Sequence, residues 1–92
     1  MYTFDAFSFE YDADKSSANM RKHGIDFRGA CELWLDPDRV EFPARAETET
    51  RFLVVGKIRG THWSGVITYR DDHIRIISMR RSRMKEIEIY ES

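Results

Sequence analysis

Apolar and polar residues change period along this chain, and the changes divide it into elements. Phe7-Ser8-Phe9-Glu10-Tyr11 alternates, as a half-buried strand does. Asp12 can then cap a helix over residues 13–23, with Gly24 as its stop. That helix is mostly polar and would be weak alone. Asp26 can cap a second helix, in which Phe27, Ala30, Cys31 and Trp34 sit at i, i+3, i+4 and i+7. Asp36-Pro37 ends it, because the residue before a proline is pushed out of the helical region.

Four strands are predicted next: Arg39–Phe42, Arg51–Ile58, Trp63–Tyr69 and His73–Arg80. Ala44–Thr50 reads as a polar loop. Arg59-Gly60-Thr61-His62 and Arg70-Asp71-Asp72 are short enough for hairpin loops, so the last three strands form an antiparallel meander. The tail is ambiguous. Glu86-Ile87-Glu88-Ile89 alternates, while Met84, Ile87 and Tyr90 recur every three residues. Good helix formers favour a helix capped by Ser82. The expected fold is α+β: one domain over residues 1–92, an antiparallel β-sheet with two N-terminal helices and a C-terminal helix packed on it.

Both faces of His73–Arg80 carry apolar residues, so this strand is expected to be central and covered on both sides. Simple alternation puts Ile74, Ile76, Ser78 and Arg80 on one face and His73, Arg75, Ile77 and Met79 on the other. Arg75 and Arg80 would then point apart unless a bulge intervenes.

The 92 residues carry a net charge of −1, which hides a polarity along the chain. Residues 1–50 hold 6 Lys/Arg against 11 Asp/Glu, and residues 51–92 hold 9 against 5. A basic patch can bind nucleic acid even when total charge is near zero. The segment His73–Lys85 contains Arg75, Arg80, Arg81, Arg83 and Lys85 and no acid. Arginine forks match phosphate oxygens bidentately and keep their charge at any physiological pH. Charge alone does not choose between an anion site and a solvated, ion-paired face.

Other chemistry is sparse. No run approaches the roughly 20 apolar residues of a membrane span. Met1-Tyr2-Thr3-Phe4-Asp5 has neither the basic start nor the apolar core of a signal peptide. With the single Cys31, this points to a reducing cytoplasm. His23, His62 and His73 are far apart and no zinc spacing is present, so no metal or other cofactor is expected. Cys31 lies on the apolar stripe and reads as a small core residue. Trp34, Trp63 and Tyr69 read as core rather than as base-stacking platforms. Lys22-His23-Gly24 would sit at a helix C-terminus, where the dipole favours cations. His23 could act as acid or base there, although a plain basic C-cap is the commoner meaning.

Taken together, the residues resemble the BrnT family, the ribonuclease partner in bacterial type II toxin–antitoxin pairs. Phe9-Glu10-Tyr11-Asp12, then Lys15, Asn19 and Lys22-His23-Gly24, resemble the family's opening. Phe27, Ala30 and Asp36-Pro37 continue it, and Glu49, Arg51 and Gly56 fit the middle. Arg75-Ile76-Ile77-Ser78 with Arg80, then Glu86 and Tyr90, fit the end. One departure is Met79, which stands where the family usually has a small residue, often alanine. A larger side chain beside Arg80 is expected to alter packing or substrate access.

The resemblance implies a RelE-like fold, metal-free cleavage of RNA, and a BrnA-type antitoxin with a ribbon-helix-helix part. Two toxins with two antitoxins is the implied assembly, and operator DNA is contacted only through the antitoxin. Arg80, supported by Arg51, is assigned to transition-state charge, and His23 to acid–base chemistry with Glu49 as the alternative. Lys22, Arg75 and Arg81 would position backbone phosphates. The rival reading is a catalytically inactive module that binds the antitoxin in transcriptional autoregulation. A DNA binder acting alone is weaker, since no helix-turn-helix signature or basic recognition helix is present.

Overall fold

The computed structural model describes residues 2–45 and 48–92. Met1, Ala46 and Glu47 lie outside the described residues, and with them the first residue of the N-terminal segment and the middle of the expected 44–50 loop. Strands β1 (Tyr2–Phe4) and β2 (Phe7–Glu10) lead into helix α1 (Ala13–His23) and the short helix α2 (Phe27–Ala30). A 3₁₀ helix, Cys31–Leu35, follows α2 directly. Strands β3 (Val40–Ala44), β4 (Arg51–Ile58), β5 (Thr61–Arg70) and β6 (His73–Arg81) come next, and helix α3 (Met84–Glu91) closes the chain. The six strands form one sheet in the order β1-β2-β6-β5-β4-β3. Among the described residues, no helix is long and apolar enough to cross a membrane.

The local signals explain most of these boundaries. Asp12 Oδ1 accepts from Lys15 N at 3.0 Å, and Asp26 Oδ1 from Gly29 N at 2.7 Å. Gly24 closes α1 in the left-handed region at φ 81°. The two tight hairpins turn through paired left-handed residues, Arg59 and Gly60 in one and Asp71 and Asp72 in the other. This geometry matches the right-handed twist of the flanking strands. The expected second helix is present but tightens to a 3₁₀ helix in its second half, with Asp36 N donating to the Leu33 carbonyl at 3.2 Å.

Three expectations are corrected. The sheet is not wholly antiparallel: β2 runs parallel to β6, pairing Phe9 with Ile74 and Glu10 with Arg75. The strand β1 adds to the expected set. Ser82 does not cap α3, because its N–H still bonds the His62 carbonyl and its hydroxyl meets Ser64 Oγ at 2.7 Å. The N-cap falls one residue later, at Arg83, whose N–H donates to Glu86 Oε1 at 2.9 Å.

The core lies between one face of the sheet and the α2 region. Phe27, Ala30, Cys31, Leu33 and Trp34 pack with Phe9, Val54, Ile67, Ile74, Ile76 and Met79. The polar α1 joins by hydrogen bonds. Beyond its short pairing with β2, the outer edge of β6 meets Asn19. Nδ2 donates to the Met79 carbonyl at 2.9 Å, and Oδ1 accepts from Met79 N at 3.2 Å. The side-chain amide thus takes the place of a strand's peptide group, and it also donates to the Ile25 carbonyl at 2.8 Å. Ser16 Oγ accepts from Phe27 N at 2.9 Å, tying α1 to α2.

Met79 does not lie beside Arg80 on one face. It is fully buried and is the cross-strand partner of Gly65. A Cβ on Gly65 would sit 2.9 Å from Met79 Sδ, so the thioether fills the space that the glycine leaves. Met79→Ala is therefore expected to open a cavity and destabilise the fold by about 2–5 kcal/mol, measured by denaturant unfolding. Asn19→Ala should cost about 2–4 kcal/mol in the same experiment, since it strands the Met79 amide and carbonyl. An unchanged midpoint in either variant would refute the corresponding packing argument.

Candidate anion site on the open sheet face

One residue in β6 redirects its arginines. Val66 pairs with Ser78 and Ile67 with Ile76, which leaves Ile77 over as a bulge. Alternation therefore restarts there. Ile74, Ile76 and Met79 face the core, and Arg75, Ser78 and Arg80 share the opposite face. This corrects the simple alternation and brings the two arginines together on one side.

Neighbouring strands complete that face. Glu10 pairs with Arg75 across β2–β6, and Arg75 with Thr68 across β5–β6. Arg70 and Arg51 lie on the same side by alternation from Thr68 and from Leu53. The Thr68 hydroxyl donates to the Thr50 carbonyl at 2.7 Å and so holds the segment that carries Glu49.

The result is an alternating chain of charges. Glu10 Oε1 lies 3.7 Å from Arg75 Nη1 and 3.9 Å from Arg70 Nε. Glu49 Oε2 lies 3.8 Å from Arg70 Nη2, and Glu49 Oε1 lies 3.4 Å from Arg51 Nη2. Three guanidiniums thus alternate with two carboxylates. Only the Arg51–Glu49 contact is also a hydrogen bond. Glu10 Oε1 and Arg51 Nε are buried without a hydrogen-bond partner among the described residues. Loose, half-exposed ion pairs contribute little to stability, whereas arginine donors left unspent can take phosphate oxygens.

Arg80 is engaged differently. Its Nη1 and Nη2 each donate to a separate oxygen of Glu86 at 2.8 Å. Glu86 also accepts from Ser64 Oγ at 2.8 Å and from Arg83 N. The pair is mostly covered, with side-chain exposures of 23% and 11%. It anchors the first turn of α3 over the sheet. The last turn is held by Tyr90, whose hydroxyl donates to Asp36 Oδ2 at 2.6 Å, and by Glu91, which meets His62 at 2.7 Å.

The other sequence-predicted site residues stand apart. His23 and Lys22 lie in the basic last turn of α1. Among the described residues, no hydrogen bond or ion pair joins either to Arg51, Arg75 or Arg80. Arg81 is exposed, with its guanidinium 5.6 Å from the Trp63 ring centre. The structure thus groups Arg51, Glu49 and Arg75 and adds two residues not assigned from sequence, Glu10 and Arg70. From sequence Arg70 reads as a residue of the Arg70-Asp71-Asp72 hairpin loop, whereas it closes β5. Glu10 could have been found from strand parity, since it lies opposite Phe9. Among the described residues, no group of three or more His, Cys, Asp or Glu is placed to hold a metal ion.

The Arg80–Glu86 pair makes stability depend on acid pH. Arg80's hydrogen bonds, opposed by burial, hold the Glu86 carboxyl down at about 2, against an ordinary 4.5. The stabilisation is complete above about pH 4.5 and is lost as pH falls towards about 2. Its full size is on the order of 3 kcal/mol. Glu86→Gln is expected to lower stability at neutral pH by roughly 2–3 kcal/mol and to flatten the fall across that acid window. Denaturant melts at several pH values check this, and parallel curves for both proteins would remove Glu86 from the account.

A family model described as the ribonuclease toxin BrnT of type II toxin–antitoxin systems matches residues 11–86. No curated protein matches the chain. The matched span runs from just after β2 into α3, and so takes in Glu49, Arg51, Arg70, Arg75 and the Arg80–Glu86 anchor but not Glu10. The chain belongs to the BrnT family of ribonuclease toxins.

Proposed function

We propose that this protein is a single-domain, RelE-like toxin that cleaves RNA without a metal ion, at the Arg51–Arg70–Arg75 row. In this reading it acts in the cytoplasm and inhibits translation and growth. A BrnA-type antitoxin neutralises it in an assembly of two toxins and two antitoxins, which contacts operator DNA through the antitoxin alone. The observation that carries the proposal is the loose charge chain, in which arginines share one face and keep donors unspent.

The chemistry asks for three things. The ribose 2′ oxygen forms a bond to the adjacent phosphorus as the bond to the 5′ oxygen breaks. A base takes the 2′ proton, an acid protonates the leaving 5′ oxygen, and cations stabilise the crowded phosphate. Arg75 and Arg51 take the phosphate charge, with Arg70 between them. Glu49 accepts the 2′ proton. His23 stands apart from the row in the last turn of α1, so water protonates the leaving 5′ oxygen, and His23, Lys22 and Arg81 meet flanking phosphates. Arg80 supports the site by fixing α3 and the end of β6.

The test is cleavage of a labelled RNA in excess EDTA by wild type, Arg75→Ala and Arg80→Ala. Arg75→Ala is expected to lose about 10²–10³ in rate with its melting temperature nearly unchanged. Arg80→Ala should lose mainly stability. Wild-type cleavage by Arg75→Ala and Arg51→Ala would sink the proposed site. A protein that neither cleaves RNA nor arrests growth when produced alone would be an antitoxin-binding module only.

A further inference from the structure

A second feature borders the arginine row. A cleft of about 440 Å³ opens among the β1–β2 turn, the segment after the 3₁₀ helix and the β5–β6 hairpin. That volume lies within the roughly 300–1,000 Å³ of small-molecule sites. Its walls include Phe7, Tyr69, Arg39 and Arg70. Tyr69 was expected in the core, and the structure corrects this: it is 49% exposed. It is nonetheless held in place. Its hydroxyl donates to Glu41 Oε1 at 2.7 Å, and its ring meets Phe52 edge-on at 5.4 Å. Arg39 is fixed as well. Nη1 donates to the carbonyls of Trp34 and Asp36 at 3.4 and 3.1 Å, and the guanidinium lies 5.4 Å from the Phe7 ring centre.

Flat, immobilised rings and a guanidinium are the surfaces on which nucleic-acid bases stack. The charges in the cleft disfavour a phosphate there. The residues lining it include three acids, Glu41, Asp71 and Asp72, while the guanidinium of Arg70 is turned to Glu10 and Glu49 on the other face and Arg39 is spent on the Trp34 and Asp36 carbonyls. A neutral base suits that balance better, because its ring and amino N–H groups need acceptors and its carbonyl or ring nitrogens need donors. Arg70 stands between the two: the residue lines the cleft at the β5–β6 hairpin, and its side chain reaches over the strand's other face to within 3.9 Å of Glu10 and Glu49 in the arginine row.

We infer that this cleft is a subsite for an unstacked nucleobase of the RNA, stacked on Tyr69, and that it sets which sequence is presented to the arginine row. The inference rests on the ribonuclease reading for its biological meaning, but base binding can be measured without cleavage. Full-length ¹⁵N-labelled protein is titrated with each of the four ribonucleoside monophosphates, and with inorganic phosphate as the control. Saturable shifts of the Ser8 and Tyr69–Asp72 amides are expected with at least one nucleotide and not with phosphate. Tyr69→Leu should weaken this binding on the order of tenfold or more, and Tyr69→Phe should retain it. If the enzyme cleaves, Tyr69→Leu should lose base preference in its cleavage pattern while still depending on Arg75.

Shifts confined to the arginine row, or identical with phosphate, would overturn the subsite whether or not the protein cleaves RNA. An unchanged cleavage pattern combined with weakened antitoxin binding in Tyr69→Leu would overturn it too, and would give the cleft to a side chain of the antitoxin. Failure of wild type to cleave would count against the ribonuclease reading alone, since the titration still decides on the base.

Discussion

Ile77 is the residue on which the arrangement of charge depends. Without it, β6 would alternate unbroken, and Arg75 and Arg80 would project on opposite sides of the sheet. One of them would then point among Ile74, Ile76 and Met79, where an unpaired guanidinium costs several kcal/mol. With Ile77 left out of the pairing, the buried positions become 74, 76 and 79, and the arginines share the other face. The bulge therefore satisfies the core and the site together. Asn19 supports it from the strand edge, bonding both the N–H and the carbonyl of Met79 just past the irregularity. An edge amide at that point fixes the new register where pairing to β2 has already ended.

Two of the helices are docked by polar side chains rather than by apolar stripes. The buried residues of α1 are Ser16 and Asn19, and the one buried residue of α3 is Glu86. Met84 of α3 is 74% exposed, and Ile89 also faces outward. A helix held by hydrogen bonds is placed in one rotation and one register, since a displacement of an ångström breaks those bonds. Apolar contacts tolerate such sliding. The specific placement of α1 and α3 thus follows from a few directional groups. It also explains why hydrophobic periodicity was a weak guide to both: the α1 sequence reads as marginal, and the α3 sequence reads equally well as strand or helix.

How much of the molecule could be read from sequence divides along the same line. Caps, turns and the β4–β5–β6 meander carry local signals, and Asp12, Gly24, Asp26 and the two hairpin turns act as their chemistry suggests. The parallel pairing of β2 with β6 has no local signal, because it joins residues more than sixty positions apart. The three-residue β1 is too short to show a period. Ser82 looks like a cap until its hydroxyl is found spent on Ser64. At the site, residue type pointed to arginine but not to the right pattern of partners. Tyr69 reads as core because aromatic residues in a strand usually face it, whereas this one stands near the end of β5, at the cleft.

The contrast between Arg80 and the row formed by Arg51, Arg70 and Arg75 separates an arginine spent on holding the fold from three that the proposed site would use. Arg80 has both terminal nitrogens on one carboxylate at 2.8 Å, and that carboxylate has two further donors. A phosphate would have to replace a bidentate, mostly covered pair, and would leave Glu86 charged and stranded. The row's contacts lie at 3.4–3.9 Å and only one of them is a hydrogen bond, so a phosphate held by two oxygens replaces little. The same arithmetic applies to any acidic segment that would compete with RNA for this face. It has to offer carboxylates to three guanidiniums whose present partners hold them only weakly, and it has no reason to disturb the fourth.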